Sequence, residues 1–524
     1  MGAPATDLLH PYIGSGTSRP IWLENSGILA HSRLTKDIFA EVCIIGGGIS
    51  GLTTAYLLCR AGKKVVVIDD RGIGGGESCR SSAHLSNAAD ATYNRLIKIH
   101  GAEYAKLFAE SHSKAIDLIE QIAMAEEIEC GFQRVDGYYF SPPRSRRGAE
   151  LVEVEYEALQ LLEIPGVAPV KKAPLGNGYT GPAIRYSHQA QMNVLQYLNG
   201  LAQKVQRMKG NIFGFTRAVR VEGDEPTVVT TSHGPTITAA EIVVATNAPF
   251  LDRFVLHTKQ AAFRTYVVAG KVARGVQAPA LFWDTEDPYH YVRTYAPHEN
   301  SEFEWLIVGG EDHKTGRNDD GDLRWERLEK WARSYFPGIK KFDARWSGQI
   351  VVPVDGAAFI GRNPRDSEHI YIASGDAGMG LTHGTIAGIL ISDLILKREN
   401  AWVSVYDPSR KPYRALASYT EQNINVMKQY KNYLTSGEVA TLDDIEPGSG
   451  AILRRGFSKL AVFRELDGTI REFSAICPHL GCLVTWNNAE MSWDCPCHGS
   501  RFTARGEVIN GPANINLRPD SEME

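Results

Sequence analysis

The sequence contains little that would tie it to a membrane or to nucleic acid. None of its apolar runs approaches the roughly 20 residues that a transmembrane helix requires. The first residues lack a basic segment followed by an apolar one, so we expect no secretory signal. The net charge of −5 for 524 residues gives no basis for binding nucleic acid or an anionic membrane surface. We therefore expect a soluble, cytoplasmic protein without a membrane span.

Cysteine is also scarce, and half of it falls in one short stretch. The chain has 8 cysteines, of which four are scattered, as is typical of buried thiols in a reducing compartment and not of a disulfide framework. These four are Cys43, Cys59, Cys79 and Cys130. The other four lie in residues 477–500, which read CPHLGC, then twelve residues, then CPCHGS.

Two histidines within residues 477–500 complete a metal-binding pattern. One residue separates Cys477 from His479. Two residues separate Cys495 from His498. Two thiolates on one iron and two imidazoles on the other are the ligand set of a Rieske [2Fe–2S] centre. We predict these four residues as its ligands, with a zinc site built from cysteine and histidine as the alternative.

Residues 436–517 resemble the high-potential Rieske proteins of respiratory cytochrome complexes in Cys482, Cys497, Ser500 and the Gly511-Pro512 pair. The resemblance implies a small all-β domain in which a disulfide joins Cys482 to Cys497. It further implies that the Ser500 hydroxyl donates toward the cluster and that Gly511-Pro512 forms the proline loop of that family.

At one position the sequence differs from those proteins in a way that affects the reduction potential of the cluster. Phe502 stands where they place a tyrosine, two residues after the serine, so one hydroxyl donor is missing. Fewer hydrogen bonds to the sulfurs favour the oxidised cluster. We predict a potential inside the Rieske range of roughly −150 to +300 mV, and below that of the respiratory type.

A second motif, GGGISG at residues 46–51, follows the short apolar run EVCII. Residues 52–61 are predicted as a helix, and Val65–Ile68 as a second strand that ends at Asp69. The glycines permit a tight turn, close approach to a pyrophosphate and close helix packing, while the aspartate can accept hydrogen bonds from a ribose. The predicted dinucleotide contacts are Gly46, Gly48, Ile49, Ser50, Gly51 and Asp69.

A second match to GxGxxG occurs at residues 176–181. No apolar strand precedes it, and Pro182 follows directly, so a helix cannot begin normally there. We predict a loop. The chain then has one genuine nucleotide fold, whereas a reductase that feeds electrons from NAD(P)H through FAD to the cluster would normally have two. That reductase remains the main alternative function.

Three segments resemble the D-amino-acid-oxidase (glycine-oxidase-like) family of FAD enzymes. They are residues 41–100 with GIGGGESCRSSAHL, residues 241–247 with EIVVATN, and residues 371–384 with YIASGDAGMGLTHG. The resemblance implies further FAD contacts from Ser82, Val219, Gly375, Asp376, Gly380 and Thr382. Arg80 occupies the position at which some relatives attach the flavin, so we expect non-covalent FAD.

The predicted fold is an α/β FAD-binding Rossmann-type domain interleaved with an antiparallel-sheet substrate domain (α+β), plus a small all-β Rieske domain. The predicted FAD-binding segments are about 37–95, 180–255 and 345–410, and the predicted substrate segments are about 96–180 and 255–345. The remaining parts are a surface arm at 1–36, a helical linker at 411–435 and the Rieske domain at 436–524.

The resemblance implies oxidation of a small organic substrate at flavin, usually at a C–N bond in an amine or amino acid. Aromatic strand-like runs supply the candidate catalytic residues, which are Tyr139, Tyr266, His290, Tyr291 and Arg293. The Arg293 guanidinium could pair with a substrate carboxylate. Ile350 stands near the place where amino-acid-oxidising relatives often have an arginine, which argues against such a substrate.

Reduced flavin holds two electrons, whereas a Rieske cluster takes one at a time. We expect the cluster to pass single electrons from the flavin to a further acceptor, with dioxygen as another possible oxidant. A Rieske oxygenase would need two histidines about five residues apart and a carboxylate for a mononuclear iron, and the histidines between 84 and 383 show no such pair. A purely structural Rieske domain is the third alternative.

Overall fold

The structure is a computed structural model that describes residues 16–251, 256–364, 366–411, 413–415 and 436–520, together with residues 420, 423, 424, 426, 429 and 433. Its helices are α1 (Trp22–Asn25), α2 (Ile49–Arg60), α3 (Glu77–Arg80), α4 (Tyr93–His100), α5 (Ala102–Ala125), α6 (Arg146–Leu161), α7 (Val194–Arg207), α8 (Gly321–Tyr335), α9 (Gly380–Ile395) and α10 (Val403–Tyr406). In the described part of the chain, none of the helices is both long enough and apolar enough to cross a membrane.

The strands before the C-terminal domain are β1 (Ile38–Ile45), β2 (Val65–Ile68), β3 (His84–Leu85), β4 (Gln133–Phe140), β5 (Val167–Val170), β6 (Ala183–Gln191), β7 (Asn211–Phe213), β8 (Ala218–Glu222), β9 (Thr227–Thr231), β10 (Thr236–Asn247), β11 (Gln260–Ala273), β12 (Ala280–Asp284), β13 (His290–Tyr295), β14 (Phe303–Lys314), β15 (Ala344–Pro353), β16 (Phe359–Arg362) and β17 (Ile370–Ser374). The strands of the C-terminal domain are β18 (Ser449–Arg455), β19 (Ser458–Arg464), β20 (Ile470–Ser474), β21 (Thr485–Asn487), β22 (Ser492–Asp494), β23 (Arg501–Thr503) and β24 (Val508–Asn510).

The first sheet has the parallel centre of a dinucleotide-binding fold. Its strands follow the order β16-β17-β10-β1-β2-β7, and the β8-β9 pair extends it from β10. β1 runs parallel to β2 and β10, and β10 runs parallel to β17. The last four residues of β1 and all of β2 are buried, as expected for strands covered on both faces.

The second sheet follows the order β15-β11-β14-β13-β12-β4-β6-β3, with β5 beside β6. Its pairs are antiparallel except for β4 and β12, which run parallel. The chain passes through the first sheet between these two strands, and such a long crossover is what a parallel pair requires. The prediction of an antiparallel sheet is therefore confirmed for all of its pairs but one.

Two small antiparallel sheets, β18-β19-β20 and β21-β22-β23-β24, form the C-terminal domain, which confirms the predicted all-β fold. Trp493 and Phe502 are fully buried in its core, next to the four cysteines of residues 477–500. The domain is therefore packed around the two cysteine- and histidine-bearing loops.

The predicted elements mostly differ from the structure at their ends. β2 has the predicted bounds, whereas α2 begins three residues earlier than predicted, at Ile49. Residues 176–181 form a loop, as predicted. β3, β6 and β15 belong to the second sheet although their residues were assigned to the FAD-binding segments. Sheet membership depends on the pairing partner, which periodicity along one strand does not show.

The N-terminal arm, predicted to lie on the surface of the first domain, is anchored there by a buried tryptophan. Trp22 is fully buried, and its indole N–H donates a hydrogen bond to the Ser81 carbonyl oxygen at 2.8 Å. The Trp22 ring also meets the ring of Tyr295 edge to face, with centroids 5.1 Å apart. Residues 1–15 of the arm and most of the predicted linker at 411–435 lie outside the described residues.

Candidate functional site

A cavity of about 1020 Å³ is lined by residues of both large sheets and of the C-terminal domain. The first sheet contributes the turn after β1 and the ends of β2 and β10, and the second contributes β4, β6, β12, β13 and β15. The third part of the wall comes from residues 508–514. The dinucleotide motif and the predicted substrate sheet therefore face one shared space.

The glycine-rich turn brings backbone to this cavity. Gly46 has a φ of +113°, and a Cβ on Gly51 would lie 1.9 Å from the Gly46 carbonyl oxygen. Glycine alone fits there, because any side chain would separate α2 from the turn. Gly46, Gly48, Ile49 and Ser50 line the cavity, whereas Gly51 lies outside its wall.

Asp69 follows β2 directly and lines the cavity. Its carboxylate accepts hydrogen bonds from the backbone N–H of Gly47 at 2.7 Å and of Arg71 at 2.9 Å. Burial raises the pKa of Asp69 to about 7, and the charge of Asp70 adds to the shift. A half-buried acceptor at the end of the second strand suits the hydroxyls of a ribose. The cavity wall thus fits the adenosine part of FAD.

The other predicted FAD residues fall into two groups. Ser82, Asp376, Gly380 and Thr382 line the cavity, whereas Val219 and Gly375 do not. The Val219 carbonyl oxygen instead accepts a hydrogen bond from Asn514 at 3.1 Å, so it faces the C-terminal domain. α9 begins at Gly380, which places the N-terminus of this helix in the cavity wall and favours negative charge there.

Two of the five predicted catalytic residues, Tyr139 and Tyr291, line the cavity, and Arg293 does not. Arg293 is fully buried, its guanidinium donates to the Met192 carbonyl oxygen at 3.0 Å, and it lies 5.3 Å from the Trp22 ring centroid. Arg293 and Tyr291 share one face of β13, but the arm residue Trp22 covers the arginine. The structure therefore places the predicted carboxylate-binding residue beyond the cavity.

His290 and Tyr266 are also absent from the cavity wall. Nδ1 of His290 lies 2.9 Å from Asp284 and 3.3 Å from Glu286. Burial alone would lower the pKa of His290, but hydrogen bonds to these carboxylates raise it to about 11. The Tyr266 hydroxyl lies 2.9 Å from Nε2 of His313. Both side chains are thus engaged in polar contacts of the second sheet.

Sequence reasoning missed several residues of the cavity wall. These are Asp90, Tyr186, Trp283 and Tyr289. Trp283 lies on β12, where it follows Phe282, and this aromatic pair could have pointed to it. Asp90 lies in irregular chain between β3 and α4, and no local pattern marks it. Its position depends on contacts that only the fold reveals.

The four predicted cluster ligands come from two neighbouring loops of the C-terminal domain. The rings of His479 and His498 lie 5.0 Å apart, and a disulfide joins Cys482 to Cys497. A hydrogen bond from the Cys495 thiol lowers the pKa of Cys477, and the Ser500 hydroxyl contributes a further hydrogen bond to that sulfur. The Ser500 hydroxyl also accepts a hydrogen bond from the Ala513 backbone N–H at 3.0 Å, so it lies between the ligand thiols and the predicted proline loop.

The donor atoms of these loops fit a metal cluster. Nδ1 of His498 is buried and has no hydrogen-bond partner, and burial lowers the pKa of His498 to about 4. A buried, neutral imidazole nitrogen without a partner is the form that binds a metal. Together with the two thiols it suits a [2Fe–2S] cluster, which would be held by Cys477, His479, Cys495 and His498.

The C-terminal domain reaches into the first cavity through residues 508–514. Arg217 donates a hydrogen bond to the Val508 carbonyl oxygen at 2.9 Å, and Asn510 donates to Glu77 at 3.0 Å. The backbone at Gly511 approaches Ala248, which also lines the cavity. The predicted proline loop is therefore part of the cavity wall.

A third histidine, His257, lies between the cavity wall and the cluster loops. Its ring is 4.9 Å from that of His479 and 6.1 Å from that of His498, and it is 4% exposed. Nε2 of His257 lies 2.9 Å from the Pro249 carbonyl oxygen, one residue beyond the cavity residue Ala248. A short path of contacts thus joins the cavity wall to both cluster imidazoles.

Comparison with known proteins agrees with this architecture. The family pattern described as FAD dependent oxidoreductase matches residues 41–394, and the Rieske [2Fe-2S] domain pattern matches residues 436–519. The chain belongs to the FAD-dependent oxidoreductase family and carries a C-terminal Rieske [2Fe–2S] domain. It is an enzyme of the flavin-dependent oxidoreductase class.

Among its relatives is the putative Rieske 2Fe-2S iron-sulfur protein YhfW of Bacillus subtilis, which is 31% identical over 94% of this chain and 95% of its own. The gamma-glutamylputrescine oxidoreductase of Escherichia coli is 25% identical over 69% of this chain and 85% of its own. A glycine oxidase structure from Geobacillus kaustophilus has a TM-score of 0.59, with 16% identity, and covers 71% of this chain and 99% of its own. The glycine-oxidase-like fold is therefore confirmed.

Proposed function

We propose that this protein oxidises a small organic substrate at a C–N bond, with FAD held non-covalently in the cavity. We further propose that electrons leave one at a time through the Rieske centre to a separate one-electron acceptor. The gamma-glutamylputrescine oxidoreductase and the glycine oxidase are both named for compounds that carry an amino group. These names support amine or amino-acid chemistry over other oxidations.

The observation that carries the proposed relay is the double role of the C-terminal domain. Residues 508–514 line the same cavity as the GGGISG motif, while the cluster loops of that domain lie against His257. A domain with only a structural role would not need an intact set of four ligands beside the cavity wall. The contacts of Arg217 and Asn510 hold the domain in this position.

When bound, FAD supplies the two-electron chemistry and the Rieske cluster supplies one-electron chemistry. The chain itself contributes orientation, charge and exclusion of water. The N-terminus of α9 favours negative charge in the cavity, and Thr382 and Gly380 lie at that end of the helix. The aromatic residues Tyr139 and Tyr291 provide apolar surface for a substrate.

The relay is tested with a His479→Ala variant, which removes one predicted ligand. The variant is expected to be reduced by substrate at the flavin as the wild type is, and to lose turnover with a one-electron acceptor such as ferricyanide. His233→Ala removes an exposed imidazole of the first domain and is expected to retain both activities. Full turnover of His479→Ala with ferricyanide would rule out the relay.

The rival function, a NAD(P)H-dependent reductase, is decided in the same anaerobic cell. NADH and NADPH are added to the oxidised enzyme alongside a panel of amines and amino acids, and the flavin absorption is followed. Our proposal expects bleaching by a member of the panel and none by the nicotinamides. Rapid bleaching by NADH without another substrate would replace our proposal with the reductase.

A further inference from the structure

The wall that the second sheet gives to the cavity is strongly aromatic. Its members are Tyr139, Tyr186, Trp283, Tyr289 and Tyr291. The rings of Tyr186 and Trp283 lie 5.7 Å apart, and those of Tyr289 and Tyr291 lie 5.9 Å apart. Faces of aromatic rings attract organic cations, which is how quaternary ammonium ligands are recognised in proteins. The wall therefore has the composition of a cation-binding surface.

Most arginines of the cavity wall are committed to other contacts. Arg80 donates to the carbonyl oxygens of Ser347 and Gly16, and Arg95 donates to the Val354 carbonyl oxygen at 3.1 Å. Arg71 and Arg217 both reach the Val508 carbonyl oxygen of the C-terminal domain. Arg147 is exposed at the start of α6. Arg293 lies beyond the wall, so a buried site for a substrate carboxylate is not evident among the described residues.

Four carboxylates of the same wall make other contacts or are exposed. Asp284 and Glu286 lie 2.9 Å and 3.3 Å from Nδ1 of His290. Glu155 accepts hydrogen bonds from the backbone N–H groups of Tyr93 at 2.8 Å and Asn94 at 3.0 Å, which fastens the start of α4. Asp287 is exposed in the turn before β13. These groups are neutralised, used structurally or in contact with solvent.

Asp90 differs from them. It lines the cavity, its side chain is accessible from it, and among the described residues it makes no hydrogen bond and no ion pair. Its carboxylate packs against Gly378, in the turn that leads into α9. If Gly378 carried a Cβ atom, that atom would lie 3.1 Å from an oxygen of the carboxylate. Surrounding protein raises the pKa of Asp90 to about 6, and the charge of Arg95 opposes the shift. The group is thus mostly ionised at neutral pH.

The chain around Asp90 is held firmly. Gln189 of β6 accepts hydrogen bonds from the Ser86 hydroxyl and the Asn87 backbone N–H, both at 2.8 Å, and donates to the Asn87 side chain at 2.9 Å. The Tyr93 hydroxyl donates to the Asn87 carbonyl oxygen. Because these hydrogen bonds already fix the backbone on either side of Asp90, its carboxylate loses little conformational entropy when it binds a cation.

We propose that Asp90 is a substrate-binding residue and that, granting the proposed function, the substrate is an organic cation, an amine that needs no carboxylate for recognition. The ammonium group pairs with Asp90 while its carbon neighbours contact the rings of Tyr139, Tyr289 and Tyr291. An amino acid would place its own carboxylate close to that of Asp90. No buried arginine of the described cavity wall is available to pair with it.

The test measures binding alone, so that it does not depend on oxidation of any amine. Benzyltrimethylammonium, benzyl alcohol and benzoate are titrated into the oxidised holoenzyme at pH 7.5, and binding is followed by calorimetry and by the flavin spectrum. We expect the cation to bind at least tenfold more tightly than benzoate and more tightly than the alcohol. Benzoate binding as tightly as the cation would overturn the proposal.

Variants assign the effect to Asp90. Asp90→Asn is expected to weaken binding of the cation at least tenfold and to leave binding of the alcohol unchanged, whereas Asp90→Glu retains most of the affinity. Glu299→Gln removes one charge from an exposed position between β13 and β14 and is expected to bind the cation as the wild type does. Unchanged cation binding by Asp90→Asn would overturn the proposal, as would an equal loss in Glu299→Gln.

The flavin and cluster absorption of each variant reports whether both cofactors are retained. If the cation binds through Asp90 but no amine bleaches the flavin, the site stands and the proposed C–N oxidation fails. If amines bleach the flavin of the wild type and of Asp90→Asn with equal affinity, the oxidation stands and the role of Asp90 fails.

Discussion

The two cofactor pockets of this protein are built in different ways. The cluster pocket consists of two loops that lie within residues 477–500 of one small domain. The flavin cavity takes its wall from residues 45 to 514, in two interleaved sheets and in the Rieske domain itself. One pocket is local and complete within its domain, whereas the other is assembled from distant parts of the chain and needs the first pocket's domain to close it.

The two pockets therefore depend on different parts of the chain. Damage to the flavin cavity should leave the cluster intact, because no cluster ligand comes from the oxidoreductase domain. Displacement of the Rieske domain should disturb both pockets, because residues 508–514 leave the cavity wall with it. Substitutions in either pocket and at the contact between the domains therefore test this asymmetry.

Gly51→Ala should abolish FAD binding and leave the cluster unchanged. The new Cβ would lie 1.9 Å from the Gly46 carbonyl oxygen, so α2 has to move away from the turn. Flavin absorbance and the electron paramagnetic resonance signal of the reduced cluster are measured in the same preparation. Gly338→Ala has open space at its Cβ and should retain FAD. Loss of the cluster signal in Gly51→Ala would break the comparison.

Glu490→Ala should destabilise the contact between the two domains. This Rieske-domain carboxylate is fully buried and lies 3.5 Å from Arg80 and 3.4 Å from Arg264. Removing one partner of a buried ion pair costs about 3–5 kcal/mol, because the remaining charge has no compensation. Urea unfolding followed by flavin fluorescence measures the loss. Glu302→Ala, at an exposed position, serves as the control, and an equal free energy of unfolding in both variants would contradict this account.

Cation binding in the cavity should strengthen as the pH rises from about 5 to about 7. The pKa of Asp90 is raised to about 6, so the carboxylate is mainly protonated at the lower pH and mainly ionised at the higher one. We expect a change in affinity of roughly tenfold, which Asp90→Asn abolishes. Three other carboxylates of this region titrate in the same range, because burial raises the pKa values of Glu155, Asp312 and Asp376 to about 7. A pH dependence that persists in Asp90→Asn would assign the effect to one of them.

Phe502→Tyr should raise the reduction potential of the cluster and change nothing in the flavin cavity. Phe502 is fully buried beside the ligand loops, and a hydroxyl there can donate a hydrogen bond toward the sulfurs. Potentiometric titration followed by circular dichroism reports the shift. Phe463→Tyr adds a hydroxyl elsewhere in the same core and should have no such effect. An unchanged or lowered potential in Phe502→Tyr would show that the missing tyrosine does not set the potential.

The cluster pocket was largely predictable from the sequence, whereas the flavin cavity was predictable only in part. The spacing within residues 477–500 singles out four candidate ligands, because a short loop limits which side chains can meet, and the resemblance to Rieske proteins favours a [2Fe–2S] cluster over zinc. The GGGISG motif likewise predicted the nucleotide turn. Strand pairing between distant segments has no such signature, so the sequence did not show that β3, β6 and β15 pair within the second sheet.

The substrate side of the cavity shows the same limit. Arg293 has the right chemistry and lies on the right face of β13, but Trp22 of the N-terminal arm covers it. Asp90 lies in irregular chain, where neither periodicity nor a motif singles out a residue. Trp22 contacts Arg293, and Gly378 contacts Asp90, across long stretches of sequence. A pattern within one segment cannot show such contacts.

The central claim is that the flavin passes electrons to the cluster within one molecule. It is tested by photoreducing the flavin of the anaerobic holoenzyme in a short light pulse and following the absorption of flavin and cluster together. We predict that the cluster is reduced as the flavin is reoxidised, at a rate that does not change with protein concentration. A rate proportional to concentration, or a cluster that stays oxidised, would contradict the account.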